Sequence, residues 1–390
     1  MEQTSRHVRT WVRSAHFDRL AQSIDAQAVI AIQQIPAPTF DEARRAEYVR
    51  DRLAAAGLCD VRIDSLHNVI GHWPGEDPSR PALLLSAHTD TVFPANTDLT
   101  IRTDVGRVYG PGLGDNSLGV AALVALAEML ARHGVRPPAD IWFAANSREE
   151  GLGNLDGIRA VWHTLGARLG AAVVIEGMAL GRIYHAAIAV RRLRVVCRAP
   201  GGHSWLHFGQ PSAVHGLIEA GARIIALTPP ANPRTTFNIG LIQGGHSVNS
   251  LAAEAEFYLD LRSEDAACLQ DFERAVCEHI SASALSPHLD FTITVVGDRP
   301  AGGIASSHPL PQMAAAALGL AGIPAVFEQG STDANALLAQ GLPTVTVGVS
   351  YGAHSHRADE YIETTPVAQG LWQLLLLVLS AAAWDFRDSR

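Results

Sequence analysis

The sequence predicts an α/β protein: a mostly parallel sheet flanked by helices, with an inserted α+β domain of split βαβ plan. Three observations predict it. Short apolar runs without alternation recur in the first half of the chain, the pattern of strands buried on both faces. Segments of helical period separate them, as βαβ units require. From about residue 183 the pattern changes to strand, helix, strand, strand, helix, strand, before apolar runs return after Pro300. The expected division is residues 1–183 with 301–390 as one domain and residues 184–300 as the insert.

Taken in order, residues 19–56 carry apolar positions at helical spacing and stop at Gly57. Residues 61–72 read as a strand. The run 81–87, Pro-Ala-Leu-Leu-Leu-Ser-Ala, reads as a buried parallel strand ending at His88-Thr89-Asp90. A glycine-rich loop, 110–114, leads through Asp115 into a helix over 120–133, closed by Gly134. Residues 140–145 form another buried strand, followed by Glu149-Glu150. A further one, 171–175, ends at Glu176-Gly177. In the insert, strands are expected over 190–198, 235–242, 254–262 and 290–296, and helices over 213–227 and 265–281. Helical and strand segments follow at 310–320, 334–338 and 344–349. The last apolar run, 371–384, is too short for a bilayer, which needs about 20 residues, and reads as a buried helix.

Composition narrows the function. The chain has 390 residues, 47% hydrophobic and 18% charged, an ordinary globular balance. A net charge of −9, with no Lys/Arg cluster, argues against nucleic acid. The four cysteines are scattered with no C-x-x-C pair, which suits a reducing compartment. The first 13 residues are polar, unlike a signal peptide. The expectation is a soluble cytoplasmic protein with no membrane partner.

Acids and histidines stand at the ends of the predicted strands and turns: His88, Asp115, Glu149-Glu150 and Glu176. From His88 to Asp115, Glu150 and Glu176 the steps are 27, 35 and 26 residues, each about one βαβ unit. Such elements can converge at the carboxyl edge of a parallel sheet. Each residue has a plainer explanation alone. His88 could be a core histidine, Asp115 a helix N-cap, and Glu149-Glu150 a solvated pair. Together they favour a metal centre, because imidazole and carboxylate suit zinc and similar ions, and a carboxylate can bridge two of them. Asp90, two residues after His88, can fix the tautomer of a ligating imidazole.

In this order and spacing, His88-Thr-Asp90-Thr-Val, Gly112-Leu-Gly-Asp115-Asn-Ser-Leu-Gly, Glu149-Glu150-Gly and Glu176-Gly177 resemble the zinc-dependent aminoacylase and glutamate-carboxypeptidase family. That family also holds tripeptide aminopeptidases and succinyl-diaminopimelate desuccinylases. The resemblance covers nearly the whole chain. It implies two divalent ions, zinc first, with manganese or cobalt also suited to the donors. His88 and Glu176 would bind one ion and Glu150 the other, with Asp115 bridging, Asp90 orienting His88, and Glu149 acting as general base and acid. The last ligand would be a histidine near the C-terminus. His356, with Glu360 four residues on, is preferred; His354, also in a fitting context, is the alternative. In the insert, then a lid and dimerisation domain, Gly201-Gly-His203-Ser resembles the histidine that donates to the oxyanion from the partner subunit. Asn249 and Arg262 resemble substrate-binding residues, and a strand-end salt bridge is the plainer reading of Arg262. The loop Gly330-Ser-Thr-Asp333-Ala-Asn resembles one beside the site.

The resemblance implies a homodimeric hydrolase that cleaves the amide bond of an N-acyl amino acid or short peptide bearing a carboxylate. Three features depart from the family pattern: the lid strand lacks the usual glycine at 190–193, Trp205 follows the lid histidine where a small residue is usual, and an extra histidine, His207, lies nearby. They leave open an unusual substrate such as an aryl amine or cyclic amide. A non-catalytic binding module would need lost ligands, and none is lost.

Overall fold

The computed structural model describes residues 26–283 and 288–386. The chain divides into two compact units: residues up to Ala187 with those from Gly302 onward, and Ile188–Ala301.

The first unit is built on a nine-stranded sheet. Its centre is parallel. The strand Ala82–His88 lies between Ile141–Asn146 and Leu169–Ile175, and Thr344–Val347 continues in parallel beyond the last. Antiparallel strands make the margins, Cys59–Ile63 and Val69–Trp73 on one side and Arg182–Ala187 with Gly302–Gly303 on the other. Every residue of the three central strands is buried, as their unbroken apolar runs demand. Each fully buried Leu or Val contributes about 1.5–3 kcal/mol. Helices Leu118–Arg132 and Val367–Ala383 pack into the larger core beside the sheet, and Asp156–Leu165 and Ala334–Leu338 into a second cluster. The segment Leu113–Arg132 is long and apolar enough to cross a membrane, but it is 83% buried in the fold and is a core helix.

Two expectations need correction, and one small sheet escaped the sequence. The helix drawn over 19–56 is two helices in its described part, Ala26–Gln33 and Ala43–Ala55. Pro36 and Pro38 break it, since neither supplies a backbone N–H and each disfavours helix in the residue before it. The strand drawn over 61–72 is a hairpin. Asp64 turns it by accepting hydrogen bonds from the backbone N–H groups of Leu66 and Asn68. A small antiparallel sheet of Arg102–Asp104, Arg107–Tyr109, Tyr361–Glu363 and Gly352–Ala353 was not legible; strands of two or three residues carry no periodicity.

The second unit is a four-stranded antiparallel sheet whose first strand, Ala189–Arg198, lies between Glu254–Ser263 and Asp290–Arg299. Among the described residues, Thr235–Gly244 pairs only with Glu254–Ser263 and so forms an edge. Helices Ala213–Ile225 and Ala266–Ser281 share its core with Leu193, Val195, Phe257 and Leu259.

Candidate metal centre

Parallel strands end at one edge, and the carboxyl edge gathers the chemistry. His88 is the last residue of its strand and is 1% exposed. Its Nδ1 lies 3.1 Å from the Asp90 carbonyl oxygen and 3.5 Å from Asp90 Oδ1. A proton on Nδ1 directed there leaves Nε2 as a lone-pair donor. Nε2 lies 3.2 Å from Asp115 Oδ1 and 3.7 Å from Glu176 Oε2. On the other side, His356 Nε2 lies 3.3 Å from Asp115 Oδ2 and 3.2 Å from Glu150 Oε1. Asp115 therefore offers one oxygen to each histidine. Two atoms that ligate one ion at about 2.1 Å in tetrahedral geometry stand about 3.4 Å apart. Donor atoms of His88, Asp115 and Glu150 all fall within 4.8 Å of one another. The donor set and its spacing fit a pair of divalent cations.

His354 stands elsewhere. Its Nδ1 lies 3.0 Å from Asp359 Oδ2, and its ring meets the edge of Tyr361 at 5.6 Å. Both histidines have left-handed backbone, φ 68° for His354 and 66° for His356, a conformation uncommon for residues with a Cβ and frequent at functional sites.

The supports show what the sequence did not. Asp90 is fully buried, and its carboxylate accepts from the backbone N–H groups of Glu149 and Glu150, each at 2.9 Å, and from the Thr39 hydroxyl. It thus fixes both glutamates as well as standing beside His88. Arg45, buried beneath, donates to the carbonyls of Thr89 and Ile35. Burial lowers its pKa to about 10, against the pull of Asp90. Asn116 ties the Asp115 turn to the end of the neighbouring strand: its Nδ2 donates to the Ile175 carbonyl and its Oδ1 accepts from Gly177 N and Gly119 N. Glu360 Oε1 accepts from Gly114 N and Asp115 N. The sequence offered the Glu360 offset as a signal, but none for Arg45 or Asn116.

Charge is concentrated here. Burial, then the charge of Asp115, raises Glu150 to about 7. Burial raises Glu176 to about 7 although His88 opposes it. Hydrogen bonds to Asp115 and Glu150 raise His356 to about 10. His88 is raised well above its usual value: burial works the other way, and Glu176, Asp115 and Asp90 prevail. Asp115 is lowered against burial by the two histidines.

In the second unit, Gly202–His203 pairs with Ser250–Leu251, and Ser204 N donates to the Asn249 carbonyl at 3.0 Å, so His203 and Asn249 share one loop pair. His203 Nδ1 accepts from Trp205 N at 3.2 Å and Leu206 N at 3.4 Å. A neutral His203 therefore carries its proton on Nε2. Arg262 binds Asp260 through Nε at 2.6 Å and Nη2 at 3.3 Å, which is the strand salt bridge of the plainer reading.

The model of Peptidase family M20/M25/M40 matches residues 84–379, which is most of the chain and includes every ligand candidate. The chain belongs to this family. It is a hydrolase of amide bonds, and the family points to divalent metal ions. Among M20 relatives, carboxypeptidase G2 of Pseudomonas sp. (strain RS-16) is 25% identical over 339 residues, covering 81% of this chain and 77% of that protein. A tripeptidase structure from Staphylococcus aureus subsp. aureus Mu50 matches at TM-score 0.73 and 21% identity, covering 93% and 100% of the two chains. A di-peptidase from Saccharomyces cerevisiae matches at TM-score 0.75 and 12% identity, covering 98% of each. These two likenesses show the M20 fold.

Proposed function

We propose that this M20 protein cleaves the amide bond of an N-acyl amino acid or short peptide that carries a carboxylate, using two ions, zinc first with manganese or cobalt as alternatives. The observation that carries the reading is the division of Asp115, one oxygen toward His88, which also meets Glu176, and the other toward His356, which also meets Glu150. Bound ions would supply Lewis acidity and an acidified water. Glu149, 5% exposed and held by Asp90 through its backbone, would take the proton from water and return it to the leaving nitrogen. His203 Nε2–H would donate to the developing oxyanion. Asn249 and Arg262 would recognise the substrate carboxylate, with Arg262 exchanging Asp260 for it. Carboxypeptidase, tripeptidase and di-peptidase relatives support this substrate class.

We also read the residues up to Ala187 and from Gly302 as the catalytic domain and Ile188–Ala301 as the lid and dimerisation domain. The unpaired edge Thr235–Gly244, with Leu241 and Ile242 exposed, and the exposed Ile218 and Ile225 of the adjacent helix support a homodimer. A cytoplasmic location rests on four free cysteines; a disulfide in the purified chain would contradict it.

The test is Glu149→Gln. The variant keeps its metal, and kcat falls about 10²–10⁴-fold. Unchanged turnover removes Glu149 from the chemistry. A second reading, an aryl amine or cyclic amide substrate, is favoured by Trp205, Leu206 and Phe208, all exposed beside His203. A panel of acyl amino acids, dipeptides and aromatic amides separates the two by kcat/KM.

A further inference from the structure

Asp333 precedes the short helix Ala334–Leu338 and is 0% exposed. Its Oδ2 accepts a hydrogen bond from Asn146 Nδ2 at 2.7 Å. Among the described residues, two atoms of this buried pair have no hydrogen-bond partner: Asp333 Oδ1 and Asn146 Oδ1. Both are acceptors if the carboxyl is charged. Buried polar atoms are rarely left unpaired, and a charge held by one hydrogen bond in such a place is costly. One proton resolves both vacancies. A proton on Asp333 Oδ1 would supply the donor that Asn146 Oδ1 lacks, while the amide donates to Oδ2.

The charged surroundings agree. Burial first, then the charges of Glu149 and Glu176, hold the Asp333 carboxyl well above the usual carboxylate range, and His88 is the opposing cation. Asn146 ends the strand Ile141–Asn146, is paired in register with His88, and accepts from Thr89 N and Thr89 Oγ1 through its carbonyl. It therefore stands between the strand that presents His88 and the turn that presents Glu149 and Glu150.

We propose that Asp333 is a neutral carboxylic acid closed into a reciprocal acid–amide pair with Asn146, and that the pair is a positioning device for the Glu149–Glu150 turn. The pair withholds one more negative charge from a site already rich in carboxylates, while keeping a rigid polar joint beneath it. Its effect on turnover rests on the role proposed for Glu149; its protonation state does not.

Asp333→Asn replaces the acid O–H by an amide N–H and preserves both hydrogen bonds. Asp333→Ala leaves Asn146 unpaired. Three readouts are taken on the metal-loaded full chain: the protonated-carboxyl infrared band, the unfolding midpoint, and kcat with KM. The expected result is a band lost in Asp333→Asn, with its midpoint and kcat within about twofold of the parent. Asp333→Ala then loses midpoint and about tenfold in kcat at unchanged KM. If Asp333→Asn loses as much as Asp333→Ala, the charge is needed and the proposal fails. It fails equally if the band survives in Asp333→Asn, or if Asp333→Ala behaves as the parent. A turnover-competent Glu149→Gln would sink the reading of Glu149 while leaving the infrared result to judge the pair.

Discussion

Asp115 faces two imidazoles, and each of its oxygens has a separate task. If one task is to complete a site with Glu150 and His356, then removing His356 strips one ion and leaves the His88–Glu176 side intact. His356→Ala is expected to bind about one ion per chain, measured by elemental analysis after dialysis, whereas His354→Ala keeps the parent content. Equal loss in both variants, or loss in His354→Ala alone, would contradict the assignment. The sequence placed His88, Asp115, Glu150 and Glu176 among its candidates because each ends a recognisable strand or turn. It preferred His356 for its Glu360 offset but left His354 open, since the two lie two apart in one irregular loop. Geometry separates them, since one meets Asp115 and Glu150 and the other meets Asp359. Asp333 was flagged only as part of a loop beside the site; Arg45, Asn116 and the pairing of Asp333 with Asn146 were not legible as supports because their partners are distant carbonyls, amides and carboxyls.

Among elements, the buried parallel strands were the most legible, since an unbroken apolar run has few other uses. The hairpin of Cys59–Ile63 and Val69–Trp73 was read as one strand because its turn, held by Asp64, lies inside a continuous extended pattern. The edge strand Thr235–Gly244 carries the next prediction. A long edge with exposed Leu241 and Ile242 invites pairing with a second copy. The parent chain is expected to elute as a dimer. Leu241→Lys with Ile242→Lys shifts it toward monomer while the single chain keeps its fold by circular dichroism, because both side chains are exposed in it. A monomeric parent at working concentration would remove the dimer, and with it any role for His203 in a partner's site.

For the whole molecule, the central issue is what neutralises the carboxylates at the sheet edge. Without cations, protons do so. His356 holds its proton up to about 10, and Glu150 and Glu176 hold theirs to about 7. A metal must displace them, so lowering the pH weakens binding and raising it toward 10 strengthens binding. The −9 net charge favours cation uptake in general and does not choose the site; the ligand geometry does. The most direct measurement is a calorimetric zinc titration of chelator-stripped protein, run at neutral pH in two buffers of different ionisation enthalpy, with hydrolysis of an acyl amino acid assayed at each ratio. The account predicts binding that saturates at two ions per chain, protons released on binding, and activity absent in the stripped protein and restored with occupancy. Full activity in the stripped protein, or saturation without proton release, would contradict it.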